Sequence, residues 1–108
     1  MLGKVYRFTV SDEKNIEKVV DDEHTAINHM VLPKGERLPE HYSNSNVYMI
    51  IVRGTMSLKL DEQEPHQYAM GQIISIPYHT KMDARNLADE TLEFLVVKSP
   101  NPRNYKDS

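Results

Sequence analysis

The sequence predicts an all-β protein, an antiparallel sandwich or barrel of about nine or ten short strands. Three observations predict it. Apolar residues recur mainly with period two, the spacing of a strand that buries one face. Turn signals return roughly every eight to twelve residues, as in all-β folds. The connections are short and polar, and glycine or proline marks many of them.

Taken in order, KVYRFTV reads as a first strand with Tyr6, Phe8 and Val10 on one side. SDEKNIEKVV is the one helical-looking stretch, with Ser11 as a possible cap and Lys14 where a capping box wants Glu. IEKVVDDE is the weaker, strand reading of the same region. TAINHMVL is a further strand, closed by Pro33, Lys34 and Gly35. VYMIIVR is apolar on both faces, which requires cover on both. TMSLKL alternates, with Met56, Leu58 and Leu60 on one side. DEQEP is a polar turn. QIISIP and TKMDARN follow, and TLEFLVV is the last strong strand. The tail SPNPRNYKDS has two prolines and little apolar content, so residues 99–108 are expected to be loose or to lie along a partner.

The 108 residues fit one domain, residues 1–108, with its core over about 25–98. A chain of this size buries roughly 65% of its unfolded surface and needs no covalent staples. There is no cysteine, which removes disulfides, thiolate metal sites and thiol catalysis. The net charge of −3, without a basic stripe, argues against a nucleic-acid partner. The longest apolar run is Val47–Val52, far short of a membrane span, and MLGKVYRFTVSDEK has no signal-like apolar region. The expectation is a cytoplasmic protein with no membrane or nucleic-acid partner.

Two spaced motifs carry a resemblance. Gly35 is followed after five residues by His41, then Ser43, Val47 and Gly54; Gly71 is followed after five residues by Pro77, then His79, Met82 and Asn86. This frame resembles the cupins, in particular the small single-domain type-2 group. Their first motif runs Gly, His, His, Glu, Gly and their second Gly, Pro, Gly, His, Asn at these spacings. The resemblance implies a cupin-type jelly-roll β-barrel, a double-stranded β-helix, which in small cupins is usually a homodimer. It also implies a site of three histidines and a glutamate for a divalent transition metal. Here Ser43, Val47 and Met82 stand at three of those four positions, and only His41 remains. Serine is a poor ligand, valine cannot bind a cation, and a thioether suits Cu(I) rather than harder metals. The expectation is therefore a barrel without the family's metal.

The candidate ligand-binding residues are His29, His41, Ser43, Val47, Met49 and Met82, with His41 and Ser43 as polar anchors of an apolar cavity. His41 is also the candidate catalytic base for a metal-free isomerisation or epimerisation, chemistry that some cupins perform. A replacement metal site would draw on His29, His41 and His79. The alternatives at single residues are structural. His41 can be a satisfied core histidine, and His29 can face outward or toward a dimer partner. His79 can serve a tight turn, since histidine tolerates φ > 0 better than most residues. His24 and His66 read as surface. Three functions follow: a metal-independent small-molecule binder, a cupin enzyme, and a structural or regulatory subunit with a filled barrel.

Overall fold

In the computed structural model, residues 2–104 are described, and they form nine strands in two antiparallel sheets. The strands are β1 (Asn15–Asp21), β2 (Ala26–Leu32), β3 (His41–Tyr42), β4 (Val47–Arg53), β5 (Thr55–Leu60), β6 (His66–Ala69), β7 (Ile73–Ile76), β8 (Lys81–Arg85) and β9 (Leu92–Lys98). One sheet has the order β1-β2-β9-β4-β7 and the other β3-β8-β5-β6. A single 3-10 turn follows at Pro102–Asn104. No helix among the described residues is long and apolar enough to cross a membrane.

Period two decides which side chains meet. Val47, Met49 and Ile51 of β4 face inward with Leu92, Phe94 and Val96 of β9, against Met56 and Leu58 of β5 and Met82 of β8. All of these are almost fully buried. Each stabilises the fold by roughly 1.5–3 kcal/mol of apolar transfer. The intersheet space around the family's ligand positions is therefore occupied by the protein's own side chains. The opposite side of β4 is less covered: Tyr48 is 47% and Val52 38% exposed.

Two tight places depend on backbone with positive φ. Gly54 joins β4 to β5 at φ 82°, and a Cβ there would sit 2.5 Å from the Thr91 carbonyl oxygen. His79 has φ 62°, in agreement with the turn reading of that residue.

Four expectations are corrected. KVYRFTV forms no strand; residues 2–10 are an exposed arm without regular secondary structure. It is anchored near its end, where the Phe8 ring centroid is 4.2 Å from that of His29 and Thr9 donates N–H and O–H bonds to Glu17. An alternating segment remains coil when no strand edge in its own chain pairs with it. Ser11 caps no helix: its hydroxyl accepts the Glu13 N–H in a turn, and the chain then enters β1. His66–Ala69 forms an edge strand that the polar DEQEP run obscures. The tail is not loose over 99–104. Asn101 is 3% exposed and donates to the Asp21 carboxylate at 2.6 Å and to the Asp22 carbonyl at 2.7 Å. Residues 105–108 lie outside the described residues.

Candidate functional site

The two sequence motifs converge at one end of the barrel, where the β3–β4 and β7–β8 turns meet. His41 pairs with Met82 across β3 and β8, so both side chains lie on one side of that sheet. Their environments differ. Met82 is 4% exposed and packed in the core, whereas His41 sits at the exposed rim. The His41 Nδ1 lies 2.8 Å from the Pro39 carbonyl oxygen. A carbonyl only accepts, so Nδ1 carries a proton and donates it, and Nε2 makes no hydrogen bond with the described residues. The expected desolvated cavity histidine is thus a water-exposed one.

Ser43 is buried, and its hydroxyl makes two hydrogen bonds. It donates to the Pro77 carbonyl at 2.7 Å and accepts the Thr80 N–H at 2.8 Å. The Ser43 backbone adds bonds to Thr80 and His79, and the Ser45 hydroxyl donates to the Pro100 carbonyl at 2.5 Å. Ser43 therefore laces the 77–80 turn to the end of the barrel and closes it. Val47 and Met49 are 1% and 2% exposed and belong to the core cluster. Of the expected ligand-facing set, only His41 presents a polar atom to solvent.

His29 takes the outward alternative. It lies on the outer side of the larger sheet, opposite the side that lines the barrel, and is fully buried between two carboxylates. Its Nδ1 is 2.8 Å from Glu17 Oε2 and its Nε2 2.6 Å from Glu93 Oε2. Glu93 in turn accepts the Arg53 Nε–H at 2.9 Å, and Arg53 reaches Asp12 at 2.6 Å. Two ionised carboxylates can only accept, so an imidazolium satisfies both of them. The Thr9 N–H, and after it His29, hold the Glu17 carboxyl below the usual glutamate range. His79 stacks on Tyr42 with ring centroids 4.8 Å apart. His29, His41 and His79 thus have separate environments. Among the described residues no three His, Asp or Glu side chains converge as metal ligands.

The donor chemistry does not fit the family's metal. Val47 and Met82 offer packed hydrocarbon and thioether, the Ser43 hydroxyl is a weak neutral donor already held in two turn hydrogen bonds, and His41 points to water. A lone imidazole does not hold a hard divalent cation against water, and catalytic zinc sites use three protein ligands.

One polar cluster escaped sequence reading. In the inward rows of β2 and β9, Asn28 lies between Ala26 and Met30, and Lys98 continues Leu92, Phe94 and Val96. A polar residue at an inward period-two position was the available signal.

Comparison with known proteins agrees with this architecture. The Cupin domain family model matches residues 28–98. An uncharacterised Methanocaldococcus jannaschii protein is 49% identical over 104 residues, covering 95% of this chain and 90% of its own length. The crystal structure of an RmlC-like cupin with a double-stranded β-helix fold from that organism superposes with a TM-score of 0.91 at 49% identity, over 95% of each chain. A Streptococcus pyogenes protein of unknown function shares the fold alone, with a TM-score of 0.72 at 23% identity over 84% of this chain and 77% of its own. With its two motifs in register, its two antiparallel sheets and its matched family model, the chain belongs to the cupin family.

Proposed function

We propose that this protein is a metal-independent cupin that binds a small molecule at the end of its barrel, without the family's metal chemistry. One observation carries the reading. At the four family ligand positions, Val47 and Met82 are barrel packing, Ser43 is a turn staple, and His41 alone remains, at the exposed rim. A filled centre moves any ligand outward, to the end where His41 Nε2, the Tyr42–His79 stack and the neighbouring amides lie. The water exposure of His41 favours a binding role over that of a desolvated general base. The test is the metal content of untagged protein purified without chelator, followed by a thermal-shift screen. Metal far below one per chain is expected, with a melting temperature raised by small ligands through mass action. Near-stoichiometric metal that disappears in His41→Ala would overturn the reading.

We also infer a homodimer formed over the outer side of the β1-β2-β9-β4-β7 sheet. Tyr48, Val52 and Ile73 are exposed there, at 47%, 38% and 63%. The arm adds Val5, Tyr6 and Val10, with strand periodicity but no strand partner. A second copy supplies both the cover and the partner edge, and a two-fold interface needs only one self-complementary patch. Light scattering on the intact chain should give twice the chain mass. Tyr48→Asp combined with Ile73→Asp should give the single mass. A wild-type monomer at high micromolar concentration would remove the proposal.

A further inference from the structure

A cleft of about 180 Å³ opens beside the barrel, between β1, the start of β2, the end of β9 and the docked 99–104 segment. It lies outside the positions that the family uses for its metal. In liquid water this volume holds roughly six molecules, so it admits a compact ligand and excludes a nucleotide. Its charged lining consists of Lys18, Lys98 and Arg103 against one carboxylate, Asp21. Three cations and one anion leave a surplus of two positive charges.

The partners within the cleft are unevenly distributed. Asp21 is engaged: it accepts from Asn101 Nδ2 at 2.6 Å and lies 3.5 Å from Arg103 and 3.7 Å from Lys18. Lys98 is half-buried, and among the described residues its ammonium has no acceptor. Burial, with the charge of Lys18 second, holds its pKa below the ordinary lysine value. Asn28 Oδ1 is buried with no donor among the described residues. A buried acceptor left unpaired costs about 1–3 kcal/mol, and a desolvated ammonium without a counter-ion is also unfavourable. The two groups line the same cleft. One lacks an anion and the other lacks a hydrogen-bond donor.

We propose that this cleft binds a small hydroxycarboxylate, its carboxylate on Lys98 and its hydroxyl donating to Asn28 Oδ1. The cleft is a second site, apart from the His41 rim, and the inference goes beyond the reading of the chain as a binding cupin. A hydroxyl next to a carboxylate supplies both missing partners in one compact molecule. Lys18 and Arg103 widen the positive field that attracts the anion, and Asp21 keeps Arg103 in place through their ion pair.

The test uses the intact ¹⁵N-labelled chain, titrated at neutral pH with D-glycerate and with propionate, which lacks the hydroxyls. Glycerate should shift amides in 18–28 and 98–103 and bind more tightly than propionate. Lys98→Met should weaken glycerate at least about tenfold, the loss expected for one charge-assisted hydrogen bond. Because it removes a desolvated, unpaired charge, that variant should melt no lower than the wild type. Asn28→Leu should bring glycerate down to the affinity of propionate. Equal glycerate binding by the wild type and Lys98→Met would overturn the proposal, as would unshifted amides around the cleft at tens of millimolar glycerate. Glycerate that shifts only amides around the His41 rim would remove this site and leave the binding reading standing. A screen with no ligand at either place would remove both.

Discussion

The buried His29 offers the sharpest test of how the outer side of the larger sheet is held. Its side chain is fully buried, with Glu17 at 2.8 Å on one nitrogen and Glu93 at 2.6 Å on the other. The Glu93 side chain is 11% and that of Glu17 25% exposed, so neither carboxylate is rehydrated freely when the ring is removed. His29→Ala deletes two charge-assisted hydrogen bonds and the ring packed on Phe8. Breaking a buried pair by removing one partner costs about 3–5 kcal/mol. Against a total stability of roughly 5–15 kcal/mol, that is a large fraction. Urea unfolding at pH 7 measures the loss, and the melting temperature should fall by roughly 12 °C or more. A double-mutant cycle with Glu93→Gln then isolates the pair. Glu93 keeps Arg53 as a partner when His29 is gone, so a coupling of about 1.5–3 kcal/mol is expected. A loss under about 1 kcal/mol for His29→Ala, with no coupling to Glu93, would refute the reasoning, because such values are typical of exposed pairs.

Other outcomes follow from the same geometry. Gly54→Ala should destabilise by about 2 kcal/mol or more, because it adds left-handed backbone strain to a Cβ placed 2.5 Å from the Thr91 carbonyl; urea midpoints measure this, and a neutral effect would refute it. Asn86, fully buried, donates to the Leu32 and Glu90 carbonyls and accepts the Ala88 N–H, so Asn86→Leu should cost about 2–3 kcal/mol by chemical denaturation. The carboxyl pKa values of Glu17, Asp21 and Asp83 lie below their ordinary range, through the Thr9 N–H, Asn101 and Arg85 respectively. Depressed carboxyl pKa values stabilise above the unfolded pKa and lose that contribution as pH falls through the folded one. This contribution should therefore be intact at pH 5 and fall progressively below about pH 4, which urea midpoints at pH 5, 4 and 3 would show.

Much of this architecture is legible in the sequence because strands announce themselves locally. Met56, Leu58 and Leu60 alternate, and the inward side of that strand follows without coordinates. VYMIIVR is apolar on both sides, but only one side is core: Val47, Met49 and Ile51 are buried, whereas Tyr48 and Val52 on the outer side are exposed. The two glycine-anchored motifs identify the family, and Val47 and Met82 already show that two of the four ligand positions do not fit the family's usual metal. Pairing is not local. KVYRFTV has a strand's pattern but no strand, because periodicity says which face is apolar and nothing about whether an edge is available. The polar His66–Ala69 segment becomes a strand because β5 offers it an edge.

The site divides in the same way. Residue type and spacing determined that His41 stands alone at the family's ligand positions and that His79 can accept a left-handed turn. Only the tertiary structure decided that His41 faces water, that the Ser43 hydroxyl staples a turn, and that His29 bridges carboxylates 12 and 64 residues away in sequence. The same holds for the cleft, where Lys18, Asn28 and Lys98 come together from three strands. The physical reason is common to all of these. Burial and hydrogen-bond satisfaction are set by neighbours brought close through strand pairing, whereas periodicity and turn chemistry are properties of a few consecutive residues.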